Sequence, residues 1–407
     1  MCRAVTADAR EDAAAPADPK DLGEADAAGS EDPFATDLRS FHPASGFFAA
    51  LPRGEFAVVK RIAPGIHGDV FRCSWARPGC SDEQVSVKKL RSESVVQPVD
   101  SEHDERKAHL RLSSRASPCQ EDALTEIGVL KYLAEQAEVS PFVLRMRGVF
   151  QDRSHVWLVT EFAEGGELFD EVASQGPLPQ GRARRYTWEL MQAIGHLHSH
   201  GIGHRDVSLE NVLVKDGGLK LMDFGMAVKT HSACGTPLRY FRAVGKDYYR
   251  APECYVPRAD FVDVVVPAGA QAGRVVSAKV MGAHLCDVLL PDDAKPHGRA
   301  RARVYGYEVP PVDVFSAGVC LFILLTGNPP WGQAALGDSL FSWVLERDVV
   351  ELMAHWGLPP VAPEIAELLR GMTAPDPAKR WSVDDCLSGS WLGGLGAGAP
   401  ACAASTA

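Results

Sequence analysis

Two kinds of apolar spacing alternate along this chain, and the change from one to the other divides it. In the first part the apolar residues come in short bursts. Phe56 to Cys73 reads as strand, glycine turn and strand, and Val85 to Leu90 alternates before it turns basic. Phe142–Phe150 and His155–Glu161 give two more strands, which predicts a small antiparallel sheet. One helical stripe interrupts them: Leu124, Ile127, Leu130 and Leu133 predict a helix over Glu121–Gln136. Further on the helical spacing dominates. Tyr186, Leu190, Ile194 and Leu197 predict a helix over Arg182–His200, and Glu364–Gly371 and Asp384–Leu392 predict two closing ones. The most apolar run, Val314–Leu325, has twelve residues, too few to span a bilayer, and reads as a fully buried helix.

Two departures from the helical spacing stand out. Val212–Val214 and Leu219–Met222 flank Lys215-Asp216-Gly217-Gly218, a hairpin signature. A repeat runs through Val264–Arg274 and Val288–Arg299, each copy apolar residues followed by Pro, Ala and Gly-Arg. It predicts a small β-rich unit over 256–303.

Composition narrows the class. With 46% hydrophobic residues the chain can build substantial cores, and a net charge of −11 argues against a nucleic-acid binder, which needs a basic stripe. The ten cysteines carry neither a CxxC pair nor a Cys/His cluster, so no zinc site or disulfide framework is expected. A reduced, cytoplasmic setting follows. The start is acidic and Ala-rich, unlike a signal peptide, and Cys2 lacks the glycine and basic cluster that would support a lipid anchor. No stable membrane association is expected. Residues 1–54 are expected to be a disordered tail, and 393–407 a flexible one. Residues 92–120, polar and of mixed charge, read as a solvated insertion whose RLSSRASP segment is a candidate phosphorylation target.

The chemistry gathers at the hairpin. Asp206 lies before it, Asn211 at its start and Asp223 after it, so the three should converge. Two carboxylates and an amide suit a hard cation such as Mg²⁺ beside a phosphate. The order His204-Arg205-Asp206, then Asn211, then Asp223-Phe224-Gly225 resembles the catalytic core of eukaryotic protein kinases. Other segments fit that resemblance. Ala63-Pro64-Gly65-Ile66-His67-Gly68-Asp69-Val70 is similar to the glycine-rich loop, with Ala63 at the first glycine's place. Lys88 matches the lysine that grips the phosphates, and Glu126 the glutamate that pairs with it.

The resemblance implies an α+β, bilobal protein kinase fold over 55–392. A small antiparallel β-sheet lobe with one main helix (55–163) would precede a larger, mainly α-helical lobe (164–392) carrying the β-rich insertion. It implies ATP and Mg²⁺ as cofactors and a protein substrate. Asp206 would accept the proton of the substrate hydroxyl while Asn211 and Asp223 hold the metals. Gly65, Gly68, Val70 and Leu213 would line the nucleotide site, Glu161 to Ala163 would bond adenine, and Glu167 would reach the ribose or a basic substrate side chain. Thr160 takes the gatekeeper place. Glu253 of Ala251-Pro252-Glu253 should pair with Arg380, and Asp313 should hold the catalytic loop from below. Arg205 would hold the activation segment, often through a phosphate, with Thr230, Ser232 and Thr236 as candidate phosphosites.

The centre departs from the pattern. Ser208 stands where most Ser/Thr kinases carry a lysine, and Lys246 where they carry a threonine. The reading adopted is that Lys246 supplies the displaced cation. The rival class is a pseudokinase, an ATP-binding scaffold without phosphotransfer, for which Ala63 and Ser208 speak. The insertion over 256–303 lies outside the resemblance and is a candidate docking surface.

Overall fold

The structure is a computed structural model and describes residues 41–43, 48–52, 55–65, 68–96, 121–280 and 284–395. The acidic tail through residue 40, the insertion from 97 to 120 with its RLSSRASP segment, Ile66 and His67 of the glycine loop, and the tail from 396 lie outside the described residues.

Six strands form the first lobe: β1 (Ala49–Ala50), β2 (Phe56–Ala63), β3 (Gly68–Trp75), β4 (Glu83–Arg91), β5 (Met146–Gln151) and β6 (His155–Glu161). Their order is β1-β5-β6-β4-β3-β2, with β1 parallel to β5 and the other neighbours antiparallel. Period-two alternation along β4 splits its side chains between two faces. Val85 and Val87 join Cys73, Trp75 and Val159 on one, while Leu90 joins the main core with Val156 and Leu158. Two short findings revise the sequence reading here. Ser92–Val96 is a helical turn, α1, where a polar loop was expected. Ala49–Ala50 pairs with Phe150–Gln151, and His42 contacts Asp122, so the packed chain starts inside the expected tail.

The main helix of this lobe is α2 (Ala123–Ala134). Asp122 caps it, its carboxylate accepting from Leu124 N at 3.0 Å and from the Thr125 hydroxyl at 2.9 Å. The strand expected from Phe142 begins only at Met146, because Val143 bridges to Leu221 and Leu144 N donates to Leu221 O at 3.0 Å. That segment ties the two lobes together.

The second lobe is helical: α3 (Leu168–Gln175), α4 (Gln180–Ser199), α5 (Val309–Thr326), α6 (Ser339–Glu346), α7 (Val349–His355), α8 (Pro363–Met372) and α9 (Val383–Ser388). Helix α5 exceeds the apolar run that announced it. Its 18 residues and mean hydropathy of 1.9 are enough, by length and composition, to cross a membrane, yet 83% of it is buried within the fold. It is the core helix of this lobe. It starts on Pro310 and Pro311, whose missing amides cost nothing in a first turn, and stops at Gly327 in the left-handed region at φ 77°. The last helix, expected to reach Leu392, ends at Ser388.

Two small ribbons place the catalytic loop. β7 (Ile202–Gly203) pairs with β10 (Val228–Lys229), and β8 (Val212–Lys215) with β9 (Gly218–Leu221). Asp216 at φ 49° and Gly217 at φ 74° make the tight turn of the second ribbon, the geometry a two-residue hairpin needs.

The repeat resolves into a closed four-stranded barrel: β11 (Phe261–Val265), β12 (Val275–Val280), β13 (His284–Leu289) and β14 (Arg299–Val304). Each copy is the end of one strand, a turn and a Gly-Arg step into the next strand. Val264, Val266, Ala278, Cys286, Val288, Leu290 and Ala302 form a core of its own.

Candidate active site

Lys88 projects from β4 and its Nζ meets Glu126 Oε2 of α2 at 2.7 Å, a pair joined across 38 residues of sequence. Burial pulls the lysine pKa down, but the charges of Glu126 and then Asp223 outweigh it and leave it raised. Lys88 therefore stays a cation. Ahead of it the glycine loop folds tightly, with Gly68 N donating to Gly65 O at 3.3 Å. A Cβ on Gly68 would lie 1.8 Å from Lys89 O, so no other residue fits there. Val70 and Leu213 are half-buried, one on each lobe.

At the link between lobes Thr160, Glu161 and Ala163 are buried. The Glu161 carboxylate accepts from Arg145 N at 3.0 Å and lies 3.0 Å from Lys220 Nζ, so that side chain is committed to holding the link. Glu167 stands just before α3 without a side-chain capping bond, its pKa raised by burial and then by Asp170 and Glu210 against the opposing pull of Lys246.

The catalytic loop hangs from one buried carboxylate. Asp313 of α5, 0% exposed, accepts from His204 N at 2.9 Å and from Arg205 N at 2.8 Å. His204 is buried too. Its Nε2 bonds Met222 O at 3.0 Å and its Nδ1 accepts from Asp206 N at 3.2 Å, which makes it a structural tie between loop and hairpin. Asn211 Nδ2 donates to Asp206 O and Oδ2, both at 2.8 Å, and Met222 N donates to Asn211 O at 2.9 Å. Asp223 follows at φ 63°, and Phe224 is buried against His204. Asp206 and Asn211 are thus bonded directly, and Asp223 follows Met222, whose amide ties the hairpin to Asn211.

Lys246 joins them. Its Nζ lies 3.1 Å from Asp206 Oδ2 and 2.9 Å from the Ser208 hydroxyl, and its backbone N donates to Asp206 Oδ1 at 3.2 Å. Gly245 permits this approach: it sits at φ 81°, and a Cβ would come within 2.9 Å of Arg205 O. A cation therefore stands beside Asp206, reached from the activation segment.

The far end of that segment is fixed by Glu253 and Arg380, bonded twice at 2.5 and 3.0 Å with side chains 1% and 0% exposed. Among the three candidate phosphosites, Thr230 is buried, and its hydroxyl bonds the His231 ring at 2.9 Å. Burial removes it as an accessible site. Ser232 and Thr236 are half-exposed.

Two features escaped the sequence reading. Glu121, just before α2, feels the charges of Asp223, Lys88, Glu126 and Asp206, and burial followed by Asp223 raises its pKa to about 7. The bond from Asp122 N to Gly225 O at 2.9 Å ties this segment to the turn after Asp223, a link that no residue spacing announces. The second is a pair of tyrosines, Tyr240 and Tyr307, whose rings lie against Arg205.

A lysine–glutamate pair, an aspartate bonded to an asparagine ahead of Asp-Phe-Gly, and a buried anchor under the activation segment mark the protein kinases. The chain belongs to the protein kinase domain family, whose model matches residues 58–261. The match stops where the barrel begins. Among curated proteins the chain is similar to calcium-dependent protein kinase 20 of Oryza sativa subsp. japonica, 27% identical over 349 residues, which covers 84% of this chain and 46% of that protein. It is similar to calcium-dependent protein kinase 12 of the same plant, 29% identical over 277 residues, covering 67% and 40%. CBL-interacting serine/threonine-protein kinase 7 of Arabidopsis thaliana is 25% identical over 353 residues, covering 84% and 61%. The chain spans about half the length of the curated relatives it matches.

Proposed function

We propose that this chain is an ATP-dependent protein kinase that transfers the γ-phosphoryl group to Ser/Thr hydroxyls of protein substrates. The observation that carries the reading is the assembled site itself. Lys88 is paired with Glu126, and Asp206 is held at once by Asn211 and Lys246. Lys88 grips the nucleotide phosphates. Asp206 orients the substrate hydroxyl and takes its proton as the oxygen bonds to phosphorus and the bond to the ADP oxygen breaks. Asn211 and Asp223 offer the oxygen donors that Mg²⁺ takes in small number alongside phosphates. The Asn211 amide nitrogen is committed to Asp206, which leaves its oxygen on the opposite side of the group. A magnesium ion held there would neutralise phosphate charge. Lys246 answers the charge that grows on the transferring group, the task Ser208 cannot perform.

Ser/Thr acceptors are favoured over Tyr because the loop reads Leu209-Glu210-Asn211, and a serine/threonine-protein kinase is among the relatives. Glu167 and Glu210 favour an arginine ahead of the acceptor. The barrel adds a surface that a protein partner would meet: Phe261 and Val265 are 49% and 59% exposed on β11. We place the chain in the cytoplasm, a reading supported by the seven cysteines of the described residues, all free thiols.

The test is radiolabel transfer from ATP to a mixed protein substrate. Transfer by the wild type and none by Asp206→Asn supports the reading. Ala63 and Ser208 keep the scaffold reading in play, and ATP binding without transfer would establish it.

A further inference from the structure

Arg205 is 5% exposed, and its guanidinium is already held. Its carbon lies 4.8 Å from the Tyr240 ring centre and 5.8 Å from that of Tyr307, and its Nη2 donates to the Tyr307 hydroxyl at 2.8 Å. The two tyrosines, both 0% exposed, are bound to one another. Tyr240 N donates to Tyr307 O and Tyr307 N to Tyr240 O, each at 2.9 Å. Each ring then reaches into the activation segment. The Tyr240 hydroxyl donates to Lys229 O and the Tyr307 hydroxyl to Arg242 O, both at 2.6 Å.

The barrel holds this cluster in place. Tyr307 follows β14 closely, and Tyr305 N donates to Asp287 O of β13 at 3.0 Å. Arg239, next to Tyr240, lies 3.6 Å from the Asp287 carboxylate, pairs with Glu308 and stacks on the Tyr305 ring at 4.5 Å. Gly306, at φ 74°, lets the two strands of this bridge approach; a Cβ there would lie 2.6 Å from Tyr240 O.

We propose that the rings of Tyr240 and Tyr307 take the place of a phosphate as the partner of Arg205, and that the barrel-braced pair holds the activation segment in its working arrangement without phosphorylation. Tyr240 and Tyr307 are thus positioning residues, acting on Asp206 through Arg205. A guanidinium over an aromatic face gains both electrostatic attraction and contact area, and more so when desolvated. A phosphate on Ser232 or Thr236 would find Arg205 already enclosed. The inference rests on the protein kinase reading, and it gives the insertion a part in positioning the site beside its candidate role as a docking surface.

The experiment uses the full chain, treated with a phosphatase and shown by mass spectrometry to carry no phosphate on residues 229–250. Turnover should stay within about two-fold of the untreated protein, and Ser232→Ala with Thr236→Ala should do the same. Tyr307→Phe, which keeps the ring and loses the hydroxyl, should lower kcat about five-fold with KM for ATP unchanged, and Tyr307→Ala about fifty-fold. Hydrogen exchange supplies a readout that does not need activity. Residues 229–250 should be protected in the phosphate-free wild type and loosened in Tyr307→Phe. A wild type that loses activity with its phosphate and regains it on phosphorylation of Ser232 or Thr236 overturns the proposal. If phosphate-free and phosphorylated protein both fail to transfer, the kinase reading fails. Unprotected exchange across 229–250 in phosphate-free protein then overturns the clamp as well.

Discussion

The activation segment is held at two places by two different kinds of contact. At its end, Glu253 and Arg380 form a doubly bonded pair with almost no exposure. Near its middle, Arg205 lies against two rings and shares one hydroxyl. The first anchor depends on charge matched to charge in a dry place, so neither partner tolerates loss of the other. The second depends on ring area and on backbone bonds between Tyr240 and Tyr307, which persist when one atom is removed. Charge anchors are brittle, whereas aromatic ones degrade by steps.

Substitutions can break that comparison, beginning with the largest effect. Arg380→Met leaves Glu253 as an uncompensated buried charge and should cost about 3–5 kcal/mol of stability, read by denaturant unfolding. Adding Glu253→Gln should recover a large part of the loss; no recovery would deny the pair its electrostatic character. Tyr307→Phe should cost only about 2 kcal/mol, since it strips one partner from Arg205 and one from Arg242 O and keeps the ring. A loss as large as that of Arg380→Met would erase the distinction between the anchors.

Asp287, which braces the second anchor, gives it a pH dependence. Burial and then the charge of Glu253 raise its pKa from 3.8 to about 7, while Arg239 and Arg380 pull it down. The folded state thus favours the protonated acid. That contribution is complete below the unfolded value of 3.8 and is lost as pH rises through about 7. Between pH 5 and 8 the wild type should lose on the order of 2–3 kcal/mol that Asp287→Asn keeps, measured as the difference between their stability profiles. Parallel profiles would remove Asp287 from the account. The smallest effect belongs to Asp122→Ala, which uncaps α2 and should cost about 1 kcal/mol.

The two anchors also differ in how far the sequence discloses them. Glu253 and Arg380 are legible at a distance because each sits in a short motif whose chemistry requires its partner. The same holds for Lys88 with Glu126 and for Asp206, Asn211 and Asp223. Tyr240 and Tyr307 belong to no such motif. Their pairing depends on the barrel returning the chain to the activation segment, and residue spacing does not encode that. The strands of the barrel were legible from alternation, but closure was not, because it rests on brief contacts such as Val264 with Val280 and Val288 with Val304. Ala49–Ala50 and Ser92–Val96 escaped for another reason: segments so short take their structure from neighbours and have no period of their own.

Lys246 lies between the legible and the hidden. Its sequence position announced a change beside Asp206, and its Nζ spans Asp206 and Ser208 at 3.1 and 2.9 Å. The decisive measurement is kcat for two proteins beside the wild type, Lys246→Met and the double change Ser208→Lys with Lys246→Thr. The account predicts a loss of about a hundred-fold in the first, or about 3 kcal/mol, and recovery to within about ten-fold in the second. Near-normal turnover by Lys246→Met would contradict it.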